Sequence, residues 1–235
     1  MSIIIQGPQV SKIDYFVNLA IEIYRREGIY RLFLALLGQI YTHQIWYVYE
    51  HDLKDLSHKN EKDLLPQVPD FSFKVIADVE EAEELEGKGF DLIRQASRLS
   101  YRLKNGAIAF CLFHGTKLMH IGWLGMNARA KDSITDLPYE VDFSKMACIE
   151  VATTMPEYRG KNASKYFQSY KGFLIYSYFK RAQYLTAKGI YTARYAILES
   201  NKAIRWAFER YNTRLISKFR HIKILGFKFW KESPA

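Results

Sequence analysis

One carboxylate interrupts an apolar run: Glu150 stands within Ala147-Cys148-Ile149-Glu150-Val151-Ala152. Burial there would raise its pKa toward neutrality and make it a candidate general base, acting directly or through a water. A Glu150 that faces solvent, or pairs with a basic neighbour, would instead be an ordinary structural carboxylate. Just downstream, Arg159-Gly160-Lys161-Asn162-Ala163-Ser164 lies between a strand-like run and a helical one. A turn that feeds a helix N-terminus points unpaired N–H groups outward, and the helix dipole favours an anion. Gly160 lets a ligand approach the backbone, and Arg159 and Lys161 add the charge that suits a pyrophosphate. The plainer reading of the same residues is a charged strand-to-helix loop.

The charge of the chain follows the same division. Its 235 residues carry 34 Lys+Arg against 25 Asp+Glu, a net +9. From Met155 to the C-terminus there are 17 basic and 4 acidic residues, leaving 17 against 21 before it. A basic C-terminal third suits a polyanionic partner, whether cofactor phosphates, nucleic acid or an anionic membrane; a solvated basic face would look the same. Hydrophobic residues make up 49%, enough for a sizeable core, and wholesale disorder is excluded.

Cys111 and Cys148 both lie in apolar, strand-like runs, as expected of buried free thiols in a reducing compartment. Neither has a CxxC partner and the six His lack zinc spacing, so no metal is expected. The N-terminus lacks the pattern of a secretory signal, and no apolar stretch approaches the roughly 20 residues that span a bilayer. The expected location is cytoplasmic, with peripheral attachment to a membrane as an open alternative.

Elements must then be found to hold these residues. A helix is expected from Ser11 and a second through Leu32–Tyr41, forming an N-terminal extension over 1–45 with Arg25, Arg26 and Arg31 at its junction. That extension reads either as a helical hairpin packed on the main domain or as an anchor for anionic lipid. Strands are expected at Ile45–Tyr49 and Phe71–Ile76, with a loop over 50–70 between them. A helix over 78–104, open to division at Gly87 and Gly89, begins acidic and ends basic, matching the helix dipole. Two strands, Ala107–Phe113 and Lys117–Leu124, join at a tight turn. Residues 127–145 read as polar and irregular. A strand Lys145–Thr154, a helix Ala163–Lys188, a strand Tyr191–Leu198, a short helix Asn201–Tyr211 and strands near Thr213–Phe219 and Ile222–Trp230 complete a mixed α/β sheet.

With that order in place, the chain from Phe71 to Trp230 resembles the GCN5-related N-acetyltransferase (GNAT) superfamily. Two segments carry the resemblance. In ATTMPEYRGKNAS, the family's Gln/Arg-x-x-Gly-x-Gly/Ala aligns with Arg159 to Ser164, with Asn162 in place of the middle Gly and Ser164 in place of the last. Both changes are physically mild, since Asn tolerates positive φ and Ser is small. In ILESNKAIRWAFERYN, Asn201 and Ala203-Ile204 match a second family motif, and Phe208 stands where the family usually has Tyr.

The resemblance implies a mostly antiparallel central sheet flanked by helices over 46–235, and an acyl-CoA-dependent N-acyltransferase, most simply an acetyltransferase using acetyl-CoA. It implies that Ile149, Val151 and Thr153 flank the thioester, that Arg159, Gly160, Lys161, Asn162, Ala163 and Ser164 hold the pyrophosphate, and that Asn201 lies near the pantetheine or supports the turn of the second motif. Glu150 would be the base and a backbone N–H near Val151 would polarise the carbonyl. Phe208 cannot donate a proton, so Tyr211, Tyr195 or water would protonate the leaving thiolate. Asp132, Asp136, Glu140 and Asp142 offer a surface for a cationic amine, the expected small-molecule acceptor, or are merely solvated. The N-terminal extension could cover the site, touch a membrane or form a homodimer contact. Two further readings stay open: a non-catalytic module that binds CoA or another ligand, and a basic surface binder of membrane or nucleic acid. No RNA-binding fingerprint appears, and nucleic acid is the less expected partner.

Overall fold

The computed structural model describes residues 3–6, 41–66, 68–92, 98–159, 172–202, 204–205, 213–224 and 227–235. In chain order its elements are β1 (Ile3–Gln6), β2 (Tyr41–Asp52), α1 (Lys54–Ser57), α2 (Glu61–Leu64), β3 (Phe71–Ile76), α3 (Val79–Gly87) and α4 (Leu99–Lys104). There follow β4 (Ile108–His114), β5 (Lys117–Gly125), α5 (Ala128–Ile134), β6 (Met146–Thr154), α6 (Phe173–Thr186), β7 (Thr192–Leu198), β8 (Thr213–Ile224) and β9 (Phe227–Pro234). The expected N-terminal helices fall outside the described residues. Among the described residues no helix is long and apolar enough to cross a membrane.

The chain forms two compact units. One comprises Glu50–Tyr195 with Phe208–Arg214. Its strands run in the order β7-β6-β5-β4-β3, antiparallel throughout except for the parallel pair β6–β7. β4 is the continuous apolar run Ile108-Ala109-Phe110-Cys111-Leu112-Phe113, and Ala109 to Phe113 are fully buried, as a strand covered on both faces requires. Cys111 and Cys148 are buried and unbridged. α3 starts at Asp78, whose carboxylate accepts from the Glu81 N–H at 2.8 Å, and stops just before Gly89 at φ 85°.

Two local expectations change in this unit. Residues 50–70, expected as a loop, contain the two short helices α1 and α2, the latter capped by Asn60. Residues 127–145, expected to be irregular, open with α5, whose Asn127 cap accepts from the Ala130 N–H at 2.9 Å. Lys131 gives that segment its polar look, yet it is buried: its ammonium donates to the Leu137 carbonyl at 2.9 Å and lies 4.8 Å from the centre of the Tyr139 ring. Of the long helix expected over Ala163–Lys188, positions 163–171 lie outside the described residues; the described part, α6, begins at Phe173 after Gly172, whose φ of 139° is far from helical geometry.

α6 buries Phe173, Tyr176, Phe179, Ala182 and Leu185. Ser177 and Arg181 are also buried on it, a polar interruption of an apolar helix.

The other unit comprises Met1–Tyr49, Ala196–Ala207 and Leu215–Ala235. Its strands are ordered β1-β9-β8-β2, with β1–β9 and β8–β9 antiparallel. Phe219 and Trp230 are buried, and His221 stacks on Trp230 with ring centres 4.0 Å apart. β1 was not foreseen. β8 runs to Ile224 and β9 starts at Phe227, whereas the division was expected near position 220.

Candidate active site

Strand β6 departs from regular geometry on both of its sides. Against β5 it pairs His120 with Thr154 and Ile121 with Thr153, then Trp123 with Glu150. Two steps along β5 therefore match three along β6, so Val151 and Ala152 together face Gly122: a β-bulge. Against β7, the parallel register covers Met146–Thr192, Ala147–Ala193 and Cys148–Arg194 and ends there. Ile149 to Thr154 run on beyond it.

The bulge reverses which side chains share a face. Before it, Cys148 and Glu150 point the same way. Glu150 is only 6% exposed, and one of its oxygens accepts a 2.6 Å hydrogen bond from the Tyr139 hydroxyl. The same hydroxyl lies 3.2 Å from Cys148 Sγ. Burial, followed by Cys148 and Glu150, raises the Tyr139 phenol well above its ordinary range, so it stays protonated and donates. Burial raises the Cys148 thiol as well, which leaves it a poor nucleophile.

After the bulge, Thr154 reaches the opposite face, where its hydroxyl lies 2.9 Å from His120 Nδ1. This face belongs to α6. Arg181, 1% exposed, donates from Nε to the Ser177 carbonyl at 3.1 Å and from Nη1 to the Trp123 carbonyl at 3.3 Å. Trp123 is the residue registered opposite Glu150. Burial lowers the Arg181 pKa to about 10, with Tyr178 and Glu150 opposing the shift, so the guanidinium remains a cation at neutral pH. Burial, and then Arg181, lowers the His120 pKa to about 3, so that imidazole is neutral. A Cβ built on Gly122 would stand 2.8 Å from both Arg181 Cζ and Ser177 Oγ; only glycine leaves room for these groups beside the bulge.

Several expected site residues can now be placed. Glu150 lies inside the fold, bonded to a phenol rather than facing solvent. Ile149 is buried, and Thr153 is registered with Ile121. Val151 forms the backbone of the bulge. Arg159 follows the short turn Pro156–Tyr158, is exposed, and donates from Nε to the Thr154 carbonyl, so its side chain is tied to the end of β6. Asn201 accepts from the Ile204 N–H at 3.4 Å, within the other unit. Tyr195 is buried edge-on to Tyr178. Gly160, Lys161, Asn162, Ala163, Ser164, Phe208 and Tyr211 lie outside the described residues.

The acidic positions are exposed and locally engaged. Asp132 lies 3.7 Å from the Lys131 ammonium, and Asp142 accepts from Ser144 and pairs with Lys145. Sequence reasoning missed Tyr139, Gly122, His120 and Arg181. Buried Arg181 on an apolar helix face was visible as a charge out of pattern; Tyr139 left no signal, since its contact depends on the path of the loop after α5.

No family model matches the chain, and no curated protein does. Among solved structures, a tandem GNAT protein from the clavulanic acid biosynthesis pathway is 15% identical over 99% of this chain and 64% of its own, with a TM-score of 0.46. A GCN5-related N-acetyltransferase-like protein from Streptococcus suis is 14% identical over 88% of this chain and 69% of its own, with a TM-score of 0.42. A GCN5-related glucosamine N-acetyltransferase region of a fungal multi-domain β-N-acetylglucosaminidase is 11% identical over 95% of this chain and 24% of its own, with a TM-score of 0.48. The chain therefore spans under two thirds of the length of the first and the third. These three structural neighbours bear GNAT or GCN5-related names, at 15% identity or less.

Proposed function

We propose that the chain is an acyl-CoA-dependent N-acyltransferase that takes acetyl-CoA as donor and acylates the amine of a small acceptor within a ternary complex. The carrying observation is β6 itself, which outruns its pairing with β7 after Cys148 while bearing a bulge and a buried carboxylate at the same point. A strand that extends past its parallel partner presents a backbone edge to an extended ligand such as a pantetheine arm. Ile149, Val151 and Thr153 supply that edge in this reading, and Arg159 to Ser164 take the pyrophosphate.

The amine nitrogen attacks the thioester carbonyl carbon, the new N–C bond forms, and the C–S bond breaks. The proton lost by the amine passes to Glu150, directly or through a water, and the departing thiolate takes one from Tyr211 or water. A backbone N–H at the bulge stabilises the developing oxyanion. Tyr139 holds the Glu150 carboxylate in place. Phe208 at the family's usual acid position favours a second reading, a ligand-binding module without catalysis.

Thermal shift with acetyl-CoA, malonyl-CoA and longer acyl-CoAs, followed by acetyl-CoA consumption across a panel of amines, separates the two. Stabilisation with turnover supports the enzyme, and stabilisation without turnover for any amine supports the module. No stabilisation by any acyl-CoA removes both.

A further inference from the structure

Among the described residues the fold buries one carboxylate, that of Glu150, and one guanidinium, that of Arg181. They occupy opposite faces of the same sheet, and Trp123 joins them. It is registered opposite Glu150, about 5 Å away between Cα atoms, and its carbonyl accepts from Arg181 Nη1 at 3.3 Å. The other bond of the guanidinium also goes to a carbonyl, that of Ser177. A buried cation held by neutral acceptors is costly unless an anion lies near. The face of α6 supplies none. Burial raises the Tyr178 phenol, whose ring centre lies 5.5 Å from Arg181 Cζ, so it stays protonated, and His51 bonded to it is neutral. His120 is neutral as well. On the face of Glu150, burial keeps Tyr139 and Cys148 protonated. From α5, Lys131 has the Leu137 carbonyl and, at 3.7 Å, the carboxylate of Asp132; from α4, Arg102 stacks on the Trp123 ring at 4.9 Å. The negative charge left to answer Arg181 is Glu150, across the sheet.

We infer that Arg181 is a positioning residue for the acyl transfer proposed above: its charge acts through the sheet to keep the Glu150 carboxylate ionised, and its bond to the Trp123 carbonyl pins β5 opposite the bulge of β6. The role rests on the reading of Glu150 as the base. A carboxylate must be ionised before it can take the amine's proton, and burial by itself favours the neutral acid. A buried cation one strand away opposes that tendency without occupying the side on which an acceptor would approach Glu150. Gly122 is what admits it, since a Cβ there would stand 2.8 Å from the guanidinium carbon. The charge on an otherwise apolar helix face thereby acquires a purpose beyond packing.

The test is a carbon-13 NMR titration of the full chain with labelled glutamate, in which the carboxyl resonance missing from Glu150→Gln belongs to Glu150. Arg181→Met removes the charge and keeps an unbranched side chain suited to the apolar face of α6, so it is expected to fold. Loss of the cation favours the neutral acid, and the Glu150 midpoint should move up by about one pH unit. The acidic limb of kcat, measured with acetyl-CoA and the amine that the panel yields, should move up with it. Arg181→Lys keeps the charge and should leave both where they stand in the parent; it carries the test by itself if the methionine variant does not fold. A midpoint unmoved in Arg181→Met, or raised by about one unit in Arg181→Lys, overturns the proposal. So does a raised midpoint with an unmoved kcat limb, because Arg181 would then tune a carboxylate that the chemistry does not use. Full turnover by Glu150→Gln, or no turnover with any amine, overturns the base and this role together. An unmoved midpoint beside a slow Glu150→Gln strikes Arg181 alone.

Discussion

Tyr139 donates a 2.6 Å hydrogen bond to Glu150, joining the loop after α5 to the strand that carries the bulge. The pair puts a phenol donor and a carboxylate acceptor together inside the protein, where loss of either removes a short bond from the other. Tyr139→Phe is expected to cost about 1–3 kcal/mol, the range for a buried polar group that loses its bond. Urea unfolding measures it. Unchanged stability would mean that the carboxylate finds another donor at no cost.

Glu150→Gln keeps the shape and the bond to Tyr139 but cannot accept a proton. Acyl transfer should fall by about 100-fold or more, while acyl-CoA affinity stays within about twofold. Steady-state turnover and calorimetric titration read the two quantities separately. Full turnover in the variant would remove Glu150 from the chemistry.

Gly122→Ala places a methyl where Arg181 Cζ and Ser177 Oγ already stand at 2.8 Å. Both belong to a buried stretch of α6, so neither can swing away into solvent. A loss of about 1–3 kcal/mol is expected from overpacking, seen as a lowered melting temperature. A melting temperature equal to that of the parent would show that the bulge has more room than the geometry allows.

Burial lowers the pKa of His51 to about 4, and that of His120 to about 3, from an ordinary value of 6.5. In the native state both rings stay neutral as pH falls below 6.5, whereas the unfolded chain takes up a proton on each. Stability should therefore be fully present above pH 6.5 and fall as pH drops below it, by up to about 1.4 kcal/mol per pH unit for each ring. His51 also bonds Tyr178 at 2.8 Å and stacks on its ring. His51→Gln should flatten the slope between pH 6.5 and 5 by about half, whatever it does to stability at pH 8. An unaltered slope in chemical denaturation across that range would place the titration elsewhere.

Arg159→Ala removes an exposed cation from the end of β6. Acyl-CoA binding should weaken by about tenfold, the scale of a charge-assisted hydrogen bond, and the sensitivity of binding to salt should fall with it. Equal affinity for acetyl-CoA in parent and variant would detach this residue from the pyrophosphate.

Elements whose residues are governed by their own pattern were legible. β3 alternates and lies at Phe71–Ile76 as read, while β4 is a continuous apolar run and shifts by one residue. α5 escaped because Arg129, Lys131 and Asp132 make it look solvated, and only the fold supplies the carbonyl that accepts from Lys131. The described part of the long helix opens only after Gly172, whose positive φ is a property of the packed backbone rather than of composition. The buried state of Glu150 could be anticipated from its apolar neighbours. Its partner could not, nor could the bulge, which exists only as a mismatch between two strands.

That mismatch makes the length of β6 as consequential as its composition. Removing one residue between Glu150 and Thr153 would give a regular ladder with β5 in which Thr153 still meets Ile121 and Thr154 still meets His120, so the bulge would go and the faces would stay. Substitutions along this strand would cost a bond or a methyl group apiece. An even ladder through all of Glu150 to Thr154 would instead turn Thr154 to the face of Glu150, so the extra residue absorbs that flip, and a homologous chain one residue shorter here should keep both faces and lose the bulge.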